Sequence, residues 1–118
     1  MKQNILRDKS YMFALRMVRA YKFLTSEQRE FVLSKQMLRS GTSVGAMVRE
    51  SEFAQSAPDF INKLSIALKE ANETAYWISL LKDCEYISED VYLSATKDCE
   101  ELIKLLVSSI KTSKQRKK

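Results

Sequence analysis

The chain has 118 residues, enough for one hydrophobic core and not for two. It contains no His, two Gly, one Pro and two Cys. That removes histidine general-base chemistry and His-ligated metals, leaves too few turn residues for a β-sandwich or a phosphate-cradling loop, and gives no disulfide framework. The net charge is +5, which raises the question of a polyanionic partner.

The first helix is predicted over about residues 9–24. Tyr11, Leu15, Val18 and Tyr21 recur at helical spacing, and Phe13, Met17, Ala20 and Leu24 form a second stripe beside them. Two apolar stripes imply a helix covered on two sides, as in a bundle or an oligomer. Thr25 and Ser26 are expected to stop it, with Thr25 and Gln28 as a capping box for a second helix over about 27–55. The stripe of that helix, Leu33, Met37, Ser40, Val44, Met47, Ser51 and Ala54, passes in register through the small-residue run Ser40 to Ala46. A loop there would throw its two halves out of phase, so one continuous helix is expected. Gly41 and Gly45, four apart, share a face. Close packing of a neighbouring helix is the favoured reason for them, and a backbone surface that accepts a phosphate is the alternative.

Ser56-Ala57-Pro58-Asp59 starts a third helix: a capping residue, a first-turn proline and an acid at the positive helix end. It runs to about Cys84 on Phe60, Leu64, Ala67, Leu68, Ala71, Ala75, Ile78 and Leu81. Ser88-Glu89-Asp90 starts a fourth, carried by Val91, Tyr92, Ala95, Cys99, Leu102, Ile103, Leu106 and Ile110. The predicted spans are thus 9–24, 27–55, 58–84 and 88–110, joined by short connections. That describes an all-α, antiparallel up-down-up-down four-helix bundle, with 111–118 as a basic, disordered tail.

The charges are segregated. Residues 1–49 hold ten Lys or Arg against three acids, a surplus of +7. Residues 50–110 hold five against twelve, or −7, and residues 111–118 add five cations. One reading is an acidic hairpin beside a basic one, with a solvated terminus. The other is a basic face and tail that attract RNA or DNA through Arg16, Arg19, Lys22, Arg39, Lys111, Lys114, Arg116, Lys117 and Lys118 by phosphate neutralisation without base readout. No apolar run reaches the roughly 20 residues of a membrane span, and charges interrupt any signal core, so a cytoplasmic protein with no membrane partner is expected.

No constellation suggests catalysis, a cofactor or a metal. A di-iron bundle needs Glu-x-x-His motifs. Glu70 and Glu73 share a helix face but lack a nucleophile or cofactor loop. Cys84 and Cys99 lie too far apart along their helices for a bridge and are read as small core fillers. Asp59 with Lys63 reads as an ion pair, and a bridge from Glu73 or Glu50 to Arg39 or Arg49 is the first possibility to test. Tyr76 and Trp77 point partly away from the core stripe. Either they stack bases or anchor a partner, or a neighbouring helix or subunit covers them; the second is favoured and implies self-association.

The stretch LRSGTSVGAMVRESEFAQSAPDFINKLSIALKEANETAYWI resembles the four-helix-bundle proteins encoded within intervening sequences of 23S ribosomal RNA, a group that includes the accessory variability proteins of diversity-generating retroelements. The resemblance spans about Phe13 to Leu81. It rests on the run Ser40 to Ala46, then Arg49-Glu50, Ser56, Asp59-Phe60, Leu64-x-Ile66-Ala67 and Glu73. It implies an antiparallel bundle and a ring-like homopentamer. On the retroelement side it implies nucleic-acid binding and a reverse transcriptase partner. The combined expectation is a non-enzymatic oligomer that binds RNA or DNA, with a protein-interaction scaffold as the alternative.

Overall fold

The four apolar stripes fold as four helices. The computed structural model describes residues 2–116, and its elements in chain order are α1 (Lys2–Ser26), α2 (Leu33–Ser51), α3 (Ala57–Asp83) and α4 (Glu89–Arg116). Connections of five or six residues force each helix to turn back on its predecessor. The result is an all-α four-helix bundle with extents of 50 × 21 × 21 Å. The neighbours α1–α2, α2–α3 and α3–α4 pack broadly, whereas α1 meets α4 along a thin seam.

The core runs the length of the bundle. Leu6, Phe13, Met17 and Leu24 come from α1, Met37, Val44 and Val48 from α2, Leu64, Ala67, Ala71, Ile78 and Leu81 from α3, and Ala95, Cys99, Leu102 and Leu106 from α4. α2 is continuous through Ser40 to Ala46, as the register requires. The two glycines explain why. A Cβ on Gly41 would stand 2.4 Å from Met17 Cγ, and one on Gly45 would stand 3.2 Å from the carbonyl oxygen of Ser10. α1 therefore lies directly on the backbone of α2. On the other side of α2, the Ser40 and Thr74 hydroxyls meet at 2.8 Å, joining α2 to α3 inside the core.

Several boundaries differ from expectation. α1 begins at Lys2 rather than residue 9, because Leu6 joins the core. Thr25 does not cap the second helix. Its hydroxyl donates to the Tyr21 carbonyl at 2.9 Å, and Ser26 donates to Lys22 at 2.7 Å, so both extend α1. α2 starts six residues later than predicted, at Leu33, with a buried carboxylate as its cap. Glu30 accepts from the amides of Val32, Leu33 and Ser34 at 3.1, 2.8 and 2.7 Å. It ends at Ser51 rather than 55, ahead of the loop that leads into the Ser56 cap. Ser56 Oγ accepts the Asp59 amide at 3.1 Å, as its sequence position suggested.

The fourth helix does not stop at Ile110. Residues 111–116, expected as a disordered tail, continue α4, and Lys114 and Arg116 place positive charge in its last turn, where the helix dipole favours it. Lys117 and Lys118 lie outside the described residues. The expected Asp59–Lys63 pair is replaced by Lys63–Glu50 at 3.5 Å, while Asp59 accepts the Gln55 amide at 3.2 Å. Cys84 is exposed at the end of α3 rather than a core filler, whereas Cys99 is buried and its thiol donates to the Ala71 carbonyl at 3.2 Å.

Two predictions follow the packing. Gly41→Ala gains about 1 kcal/mol of helix propensity but crowds Met17, for an expected net loss of about 1–2 kcal/mol read as a lower urea midpoint. An unchanged midpoint would contradict the close approach. Burial pushes the Glu30 carboxyl upward, but the Leu33, Ser34 and Val32 amides outweigh it and hold the group below its ordinary 4.5. Its capping contribution is therefore complete above that pH and is lost as the pH falls through its own, lower value. Glu30→Ala is expected to cost about 1–2 kcal/mol at neutral pH, with the gap from the parent closing below pH 4.5 in denaturant titrations.

Candidate functional site

The bundle divides the predicted basic residues between its two ends and pairs some of them with acids. Arg16 reaches across the α1–α4 seam, donating to Ser94 Oγ at 2.9 Å and Asp98 Oδ2 at 3.0 Å. Lys9 pairs with Glu101 at 3.2 Å farther along the same seam. Arg39 is clamped by two carboxylates of α3, Glu70 at 3.3 Å and Glu73. The expected bridge from Glu73 to Arg39 is therefore present. With its charge offset, Arg39 is a poor phosphate ligand. Arg19 and Lys22 are exposed, as are Lys111, Lys114 and Arg116. Among the described residues, these five enter no ion pair within 4.0 Å.

Apart from Arg39, the predicted basic residues that the structure describes lie toward the two ends, Arg16 with its charge already paired. Arg16 and Arg19 line a groove of about 810 Å³ at the end where α1 finishes and α3 turns into α4, with Phe23, Lys82, Tyr86 and Val91. Lys114 lines a smaller cleft of about 430 Å³ at the opposite end, against Pro58, Ile61, Asn62 and Ser65. Pro58 and Lys82 belong to one continuous helix and are 24 residues apart, which is about 36 Å at 1.5 Å per residue. The nine predicted nucleic-acid ligands thus do not form one patch. Seven fall at two separate poles or within ion pairs, and Lys117 and Lys118 lie outside the described residues.

Met17 and the Ser10 carbonyl occupy the space above Gly41 and Gly45, where α1 packs on α2. The inner stripe of α1 is in the core, but the outer one is not. Tyr11 is 56% exposed, Met12 58% and Val18 37%, with Leu15 and Tyr21 half-buried. Tyr76 and Trp77 meet edge to face at 5.0 Å. Trp77 packs partly on the core and its indole N–H donates to Glu73 Oε2 at 3.0 Å, which leaves Tyr76 as the exposed member of the pair.

With this architecture in place, comparison with known proteins is decisive on one point. The model of the 23S rRNA-intervening sequence protein family matches residues 2–108. The chain belongs to this family. A solved member, described as a protein of unknown function from the S23 ribosomal protein family of Bacteroides thetaiotaomicron, is 61% identical, with a TM-score of 0.93 over 94% of this chain and 99% of the other. No curated protein matches the chain. The family match stops before Lys111, Lys114 and Arg116, so the cationic end of α4 lies beyond it.

Chemically, the surface offers charge and apolar contact. Among the described residues no three His, Cys, Asp or Glu side chains converge as a metal site, and no helix is long and apolar enough to cross a membrane. Burial pushes the Cys99 thiol up to about 11, which keeps it protonated at neutral pH. Sequence reasoning passed over Phe53, which is 77% exposed in the loop between α2 and α3. Its signal was a large aromatic residue off the predicted stripe, between Ser51 and Ala54.

The Arg39–Glu73–Trp77 chain carries its own reporter. The Trp77 indole and the Arg39 guanidinium hold the Glu73 carboxyl below its usual 4.5, and Trp77 is the single tryptophan. Its emission is expected to titrate with a midpoint below 4.5 before far-UV ellipticity is lost, and Glu73→Gln is expected to flatten that step. An identical titration in the variant would place the coupling elsewhere.

Proposed function

We propose that this family member is a non-enzymatic assembly module whose copies associate through the outer face of α1. The observation that carries this reading is the unpartnered apolar stripe of Tyr11, Val18 and half-buried Leu15 on a helix whose opposite stripe already fills the core. Apolar residues contiguous along one exposed helix face favour a protein contact. The thin α1–α4 seam leaves further apolar surface at Met12 and Leu93 on its flanks. By the resemblance drawn from the sequence, the assembly is a ring of five.

A second reading has its own observation. Lys111, Lys114 and Arg116 extend from α4 with no ion pair among the described residues, and α4 has no acid after Glu101. Such a run binds a polyanion by releasing counterions. Multiplied by an assembly, it supports RNA or DNA binding, each copy adding a few phosphate contacts.

Light scattering separates assembly from its absence. The full chain is expected at a multiple of 13.7 kDa, five by the resemblance, and largely independent of salt. Tyr11→Glu with Val18→Glu is expected to give protomer mass with unchanged helical ellipticity. A protomer mass for the parent chain would overturn the reading. For the second reading, replacing Lys111, Lys114 and Arg116 with Gln is expected to reduce the salt slope of duplex DNA binding by up to about 3 per copy.

A further inference from the structure

We propose that the end of the bundle formed by the α2–α3 loop, the first turns of α3 and the last turns of α4 binds single-stranded nucleic acid, with one base stacked on Phe53 and the backbone held by Lys114 and its cationic neighbours. The inference rests on the polyanion reading of α4 and gives it a site and a substrate class.

Three independent observations meet there. Phe53 is the most exposed large apolar side chain among the described residues, at 77%. It sits in a turn tied by its amide to the Glu50 carbonyl at 3.0 Å, so the ring projects from a fixed backbone rather than a loose strand. A cleft of about 430 Å³ at the same end of the bundle is lined by Asn62, Ser65 and Lys114 together with Pro58 and Ile61. That set offers an amide, a hydroxyl and an ammonium over a small apolar base. Finally, the acids in and flanking the α2–α3 loop are already engaged, while Asp8 of α1 stays exposed. Glu52 pairs with Arg7 at 3.5 Å, Glu50 with Lys63 at 3.5 Å, and Asp59 caps the Gln55 amide at 3.2 Å. Arg49, Lys111, Lys114 and Arg116 are left as exposed charges.

Distance and shape select the single strand. Pro58 follows Phe53 by five residues, so their Cα atoms lie within about 18 Å even at full extension. The bundle end is about 21 Å across. A few nucleotides cover that span. A duplex hides its base faces in the stack and offers a protruding ring nothing to stack on, whereas every unpaired base presents a π-face. Aromatic stacking beside a cationic track is how single strands are held without sequence readout.

The test is an anisotropy titration of the full chain with labelled 12-nucleotide oligo-U and oligo-dT and a 12-base-pair DNA duplex, with light scattering on the same samples. The single strands are expected to bind more tightly than the duplex. Phe53→Ala should weaken single-strand binding about tenfold, the loss of one stacked base, and leave duplex binding and the salt slope unchanged. Phe53→Trp should retain single-strand affinity. Equal affinity of Phe53→Ala and the parent chain for oligo-U and oligo-dT would overturn the site. If the Lys111, Lys114 and Arg116 to Gln variant loses binding while Phe53→Ala does not, the polyanion reading stands and the stacking site falls. No binding of any probe at low salt removes both. A change in assembled mass on Phe53→Ala would make the ring a subunit contact and also overturn the proposal.

Discussion

The bundle is organised by how closely α1 approaches α2. Helices normally meet at 8–10 Å between axes, a distance set by the side chains between them. At Gly41 and Gly45 there are none on the α2 side, and Met17 and the Ser10 carbonyl take their place. One consequence is energetic. Two glycines within a helix cost about 2 kcal/mol against alanine, and the dispersion contacts of a tightly seated α1 offset that cost. Another is geometric. α1 is held to α2 so firmly that it need not lean on α4, and the thin seam opposite is bridged by exposed charge pairs, Arg16–Asp98 and Lys9–Glu101, rather than by apolar packing. Surface pairs of that kind contribute little to stability. They align helices already held elsewhere.

The same arrangement decides what the charges do. Counted along the chain, the surplus in residues 1–49 looks like one basic face. Folded, the basic α1–α2 hairpin lies against the acidic α3–α4 hairpin, and ion pairs cross between them: Arg39 to Glu70 and Glu73, Arg16 to Asp98, Lys9 to Glu101. Of the cations left over, Arg19, Lys22, Arg49, Lys111, Lys114 and Arg116 lie toward the poles, while Lys69, Lys97 and Lys104 stay on the sides.

Most of the fold was legible because periodicity is a direct record of burial. Phe13, Met17, Val44, Leu64, Ala67, Cys99 and Leu102 were all placed on core stripes and all are buried. The continuity of α2 was legible for the same reason, since register survives even where propensity is poor. What escaped depended on partners remote in space or on polar atoms that mimic others. Thr25 has a side chain able to cap a helix or to bond back to the preceding turn, and only the buried Glu30 five residues later determines which occurs. Thr74 was on no predicted stripe, yet its hydroxyl meets that of Ser40 inside the core. The length of α4 escaped because a helix that extends past the core needs no apolar signal, only residues compatible with helix and the charges that suit its end. The candidate sites were less legible. A list of cations does not say which already have acids, and Phe53 belongs to no periodic pattern at all.

The two thiols of this chain ended up in opposite circumstances, with a practical result. Cys99 is sealed in the core, hydrogen-bonded to Ala71 and protonated at neutral pH. Cys84 stands in solvent at the C-terminal end of α3. An alkylating dye added to the folded protein therefore attaches at one place without any cysteine having to be engineered or removed. That place is at the pole opposite Phe53, where a fluorophore can report on copies of the protein meeting without obstructing the end that carries the exposed ring.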